Sequence, residues 1–159
     1  AYLKDGLYVD NHGNRITGKI QENTGKERII WTVVEGLHES AEIRDGSGAI
    51  VSRKFYRDGD LIREETYRMN LLFERFIYSN GAITEKWLYN YLQSQITSLL
   101  LRNDEAYALK IYNLDMLLLQ ETITDENGKK HTTGYTYNKD KTLNSSITAY
   151  SEGIGKVKR

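Results

Sequence analysis

Three histidines, His12, His38 and His131, are the side chains in this sequence that could both ligate a metal and exchange a proton near neutral pH. They form no His-x-x-x-His pair. Glu35-x-x-His38 has the spacing of a di-metal carboxylate ligand pair, but that motif requires a helix and a second copy. Gly36 marks a turn between them, so the spacing predicts surface histidines rather than ligands or bases. Gly46-Ser47-Gly48 lacks the lysine of a phosphate loop and reads as a turn. Asp125-Glu126-Asn127-Gly128 matches part of a calcium loop without its alternating ligands or terminal glutamate, and a hairpin turn explains it better. Glu64-Glu65 and Asp104-Glu105 are adjacent carboxylates, and neighbours on a strand point to opposite faces, which weakens an acid/base partnership. Cysteine is absent, which excludes disulfides, Cys-ligated zinc or iron–sulfur clusters, and cysteine nucleophiles. No catalytic, cofactor-binding or metal-ligating residue emerges, and the expectation is a non-enzyme without a cofactor.

The elements that would carry any other function follow from composition and spacing. The 159 residues include 22 Lys+Arg and 22 Asp+Glu, a zero balance that argues against a polybasic partner for nucleic acid or membrane. Hydrophobic residues reach 39%, too many for a disordered chain, and no apolar run is long enough for a membrane-spanning helix. With 13 Gly and no Pro, turns must rest on Gly, Asn and Asp, as tight hairpins require.

Those turn residues repeat. Gly13, Gly36, Gly59 and Gly81 stand 23, 23 and 22 residues apart, and the step continues to Asn103-Asp104 and Asn127-Gly128. A second series, Gly25, Gly46, Asn70, Gln93, Asp115 and Asp140, falls between them. The merged series places a turn about every 11–12 residues, the spacing of short strands in a meander. Phe55–Gly59, Ile77–Gly81 and Leu100–Asp104 correspond, and each is followed eight residues later by a tyrosine: Tyr67, Tyr89 and Tyr112. A helical period also runs through parts of residues 61–119. The turn residues Asn70 and Asp115 fall mid-window in that reading, where a helix needs none, and the recurrent β-branched and aromatic residues favour strands. Residues 92–125 carry no glycine and keep the repeat by spacing alone.

The unit resembles the degenerate MORN-repeat variant of bacterial proteins, some of them antitoxin-like. The resemblance rests on Gly6–Lys19, Phe55–Asn70 and Phe76–Asn90, with partial recovery over 126–153. It implies an all-β fold, an elongated antiparallel β-meander of hairpin repeats about 23 residues long, used as a protein-interaction or structural module. It implies no catalytic residues.

Tyrosine outnumbers phenylalanine twelve to three, which suits a thin sheet whose rings cover apolar neighbours while their hydroxyls stay in water. Tyr67, Tyr89 and Tyr112, at equal offsets from equivalent turns, are expected to share strand parity and one face. With Trp87 and Trp31 they form the expected partner surface, against the plainer reading of a structural ladder.

The expectation is one β-repeat domain over residues 1–153 with a flexible basic tail, 154–159. Its role would be binding another protein as an immunity- or antitoxin-like factor, with neither nucleic acid nor an integral membrane segment involved. The alternative is a structural or envelope-associated repeat protein without a dedicated soluble partner. The start at Ala1 rather than Met tilts the expected location towards export.

Overall fold

The computed structural model describes residues 1–150 and 157–158. Every regular element among them is a β-strand. The chain divides into two units, Ala1–Gly81 and Ala82–Arg159.

The first unit begins with the hairpin β1 (Tyr2–Lys4) and β2 (Leu7–Val9). An antiparallel meander follows: β3 (Gly18–Thr24), β4 (Glu27–Val34), β5 (Leu37–Arg44), β6 (Ile50–Arg57), β7 (Asp60–Arg68) and β8 (Leu71–Ser79). The second unit is a meander of β9 (Ala82–Asn90), β10 (Gln95–Arg102), β11 (Glu105–Asn113), β12 (Leu118–Thr124), β13 (Lys130–Tyr137) and β14 (Leu143–Tyr150). β15 (Val157–Lys158) pairs with β14, and the rest of the basic tail lies outside the described residues. The expected antiparallel meander of successive hairpins is therefore present, and the helical alternative for residues 61–119 is not.

Each turn residue of the two interleaved series lies in or beside a connection between strands, but the connections are of different kinds. Asp5-Gly6, Glu35-Gly36, Asp58-Gly59, Met69-Asn70, Asn80-Gly81 and Asn103-Asp104 have positive φ at both positions, the signature of type I′ turns. Residues 10–14, 45–49, 113–117, 125–129 and 138–142 form a wider loop. In each, the first residue's N–H donates to the fifth carbonyl and the fourth N–H donates to the first carbonyl. The fourth residue is left-handed: Gly13, Gly48, Met116, Gly128 and Lys141 have φ between 64° and 87°. Asp10, Asp45, Asn113 and Asp125 open four of these loops, and each side chain accepts the backbone N–H groups of its third and fifth residues. Asp125-Glu126-Asn127-Gly128 is thus the start of a self-capped hairpin loop, as is Asp45 with Gly46-Ser47-Gly48. The connection Tyr91–Ser94 also turns, with Gln93 of the second series inside it.

A further regularity follows the turns. The strand pairings shift by one residue shortly after many of them, leaving Glu39, Val51, Ile62, Phe73, Tyr107, Leu119 and Asn144 as bulge residues near the start of the returning strand. Bulges of this kind increase local twist without breaking the hairpin.

Burial is sparse. The buried hydrophobic residues are Val9, Val33, Ala41, Ile96 and Ala108, joined by Glu65 and Ser98 among polar ones. In the first unit the N-terminal hairpin supplies some cover: Tyr8 N–H donates to the Gly36 carbonyl at 2.9 Å, and Gly36 N–H donates to the Ile16 carbonyl at 2.8 Å. A Cβ on Gly36 would sit 3.1 Å from the Tyr8 carbonyl oxygen, so this approach requires glycine.

Candidate interaction surface

Strand register sorts the side chains of the second unit into two faces, because residues directly opposite in a ladder share a side. One face carries the row Trp87, Ser98, Lys110, Glu121, Thr133 and Thr148. On either side of it lie Tyr89–Ile96–Tyr112 and the row from Glu85 through Leu100, Ala108, Ile123 and His131 to Tyr150. Trp87, Tyr89 and Tyr112 are half-buried, whereas Ile96 and Ser98 between them are 4% and 1% exposed. The Trp87 and Tyr112 rings stack with centroids 5.6 Å apart and planes 24° apart. Trp87 Nε1 donates to Glu85 Oε2 at 2.9 Å, so the indole is held at its polar edge as well as its face. Nearby, Lys110 Nζ lies 3.7 Å from Glu121 Oε2, and the Tyr135 hydroxyl donates to Glu121 Oε1 at 3.4 Å. Burial, then the Glu121 charge, raises the Tyr135 phenol pKa, keeping it a neutral donor.

The opposite face of this unit differs in chemistry. One row runs Leu88, Thr97, Ile111, Gln120, Gly134 and Ile147. The adjacent row runs Lys86, Leu99, Leu109, Thr122, Thr132 and Ala149. Lys86 is the single charge among these positions.

In the first unit Tyr67 lies on a charged face. The row beside it on that face is Gln21, Ile30, Glu42, Arg53, Glu65 and Arg75. Arg44 Nε and Arg53 Nη2 reach Glu42 at 2.9 and 3.0 Å, and Arg75 Nε reaches Glu65 at 2.9 Å. Tyr67 joins the two clusters, since its hydroxyl donates to Glu65 Oε1 at 3.1 Å while the Arg53 guanidinium lies 5.4 Å from its ring centre. Burial would raise the Glu42 pKa, but the hydrogen bonds from Arg44 and Arg53 outweigh it and hold the carboxyl below its usual range. Burial, with the Glu65 charge, pushes the Tyr67 phenol up.

Trp31 occupies the other side of that sheet, in the row Ile20, Trp31, Ala41, Lys54, Glu64 and Phe76. Its ring stacks on His38 at 3.9 Å and 13°, with Tyr8 4.9 Å beyond the imidazole and Tyr56 6.1 Å from both. His38 is therefore not the surface histidine that its sequence context suggested. Packing against Trp31 half-buries it, and this burial lowers its pKa against the opposing charge of Glu22. The adjacent carboxylates behave as strand geometry dictates: Glu64 faces Lys54 at 3.9 Å on the Trp31 side, while Glu65 meets Arg75 on the other.

Of the residues singled out by sequence, the structure brings Trp87, Tyr89 and Tyr112 together. Tyr67 sits in an ionic network of the first unit, and Trp31 sits on the reverse of that unit's sheet. Sequence reasoning missed Glu85, Tyr8, His38 and Tyr56 as ring partners. Glu85 had a readable signal, because it stands two residues before Trp87 and so shares its face. Among the described residues, no group of three or more His, Asp or Glu side chains is placed to hold a metal ion. No helix among them is long and apolar enough to cross a membrane. Neither the protein-family models nor the curated proteins compared with this chain give a match.

Proposed function

We propose that this chain is a non-enzymatic protein-interaction module whose partner docks on the Trp87–Tyr89–Tyr112 face. The observation that carries this reading is the stacked, half-exposed Trp87–Tyr112 pair beside Tyr89, held over a nearly closed floor of Ile96 and Ser98. Rigid aromatic side chains with little rotamer freedom left to lose are the usual anchors of protein interfaces. The polar groups around them, Lys110 and Glu121, supply a hydrogen-bonding surround. An immunity- or antitoxin-like role is the finer form of the proposal, suggested by the MORN-like spacing.

The test is affinity capture with the wild-type chain and with Trp87→Ala and Tyr89→Ala, each checked for folding by circular dichroism. A protein retained by the wild type and lost from both folded variants supports the reading. A retained set that is the same for all three contradicts it.

A further inference from the structure

The other face of the second unit is built differently, and Gly134 is its anomaly. Gly134 lies mid-strand in β13, flanked in register by Gln120 and Ile147. Its φ is not among the positive values that call for glycine, and a Cβ built there meets nothing within 4 Å. Neither turn geometry nor crowding within the chain explains the residue. A glycine inside a strand weakens it, and one reason to keep it is close approach of another molecule.

The surroundings favour a flat apolar contact. Lys86, on β9, is the one charge in the two register rows, and Leu88 and Ile147 are 42% and 43% exposed. The Thr122 and Thr132 hydroxyls hydrogen-bond to each other at 2.9 Å, so their polar atoms are satisfied sideways within the sheet. Among the described residues of the unit, each of these strands packs chiefly against its sequence neighbours.

We infer that this face is where a second copy of the chain docks, sheet against sheet, with an apolar side chain of one copy entering the hollow at Gly134 of the other. A two-fold interface apposes a surface to itself; this face carries Lys86 and Lys130 as its charges on the six strands, whereas the Trp87 face carries Glu85, Lys110 and Glu121. The area is also sufficient. Six strands at ~4.8 Å spacing and eight residues at ~3.4 Å give about 780 Å², against the ~800 Å² per partner of a standard stable interface.

Analytical ultracentrifugation of the full chain tests this. The wild type should sediment at twice its 18.4 kDa mass. Gly134→Val fills the hollow with a good strand former and should dissociate the dimer, while the monomer, melted in dilute solution, keeps or raises its Tm. Gln120→Lys, at an exposed position in the middle of the face, should weaken the dimer at least tenfold. Should Gly134→Val fail to fold, Gln120→Lys decides alone. Ser146→Lys, on the Trp87 face, should leave the dimer intact. A monomeric wild type at about 100 µM, where a micromolar dimer would be populated, overturns the inference. So does a dimer that survives Gln120→Lys, or one that Ser146→Lys breaks.

Discussion

Trp87 and Tyr112 stack across an intervening strand: the indole is on β9, the phenol ring on β11, and Ser98 and Ile96 of β10 lie between them in register. A pair that spans two ladders couples three strands, so it should resist disruption more than either ring alone suggests. In a double-mutant cycle of Trp87→Ala and Tyr112→Ala, the coupling energy should be about 0.5–1.5 kcal/mol, measured by urea unfolding. Each single change should cost about 2 kcal/mol, below the roughly 3–5 kcal/mol of a fully buried ring.

Met116 stands where three of the five wider loops have glycine, with φ at 64°. Relieving that conformation by Met116→Gly should stabilise the chain by about 1 kcal/mol, and Gly128→Ala in the equivalent position should cost about as much. Thermal melts of the two variants should therefore move in opposite directions.

These loops also mark the extent to which the sequence was legible. The spacing of Gly36, Gly59 and Gly81 located hairpin connections because type I′ turns need residues that accept positive φ, and few residue types do. The same spacing did not reveal that Gly13 and Gly36 belong to different loops, since both geometries consume glycine. Nor could it reveal the bulges at Ile62, Phe73 or Tyr107, which are errors of register between two strands rather than features of one. Glu85, a charge between Ile83 and Trp87 on one side of β9, belongs on that face because it accepts from the indole. The parity of Tyr89 and Tyr112 was readable from equal turn offsets, whereas Trp31, outside that offset, carried no information about its face.

Glu65 is 6% exposed and is satisfied by Arg75 and Tyr67. Arg75→Met keeps the aliphatic stem but removes a charged donor from a buried carboxylate. The expected loss is about 2–3 kcal/mol, less than the 3–5 kcal/mol of a fully buried pair because Tyr67 remains and Arg75 is partly in water. Tyr67→Phe in the same background should cost more than in the wild type, and chemical denaturation of the four chains measures the difference.

His38 gives the first unit a pH dependence of definite sign. Burial depresses its pKa in the folded state below the ordinary 6.5, so the unfolded chain takes up the proton more readily. Stability should be at its full value above that pH and fall as the pH drops through 6.5 towards the folded value. His38→Phe keeps the stack on Trp31 and should flatten the stability profile below the ordinary imidazole pKa. Equal slopes for the two proteins would show that the imidazole remains hydrated.

The most direct measurement is the affinity of the captured partner for Tyr89→Ala, by titration calorimetry, with a thermal melt of the same sample. A ring that belongs to the docking face should cost at least about 1.4 kcal/mol of binding, a tenfold loss, in a chain that remains folded. Unchanged affinity in a folded Tyr89→Ala chain, with the effect of the substitution confined to stability, would contradict the assignment of this face.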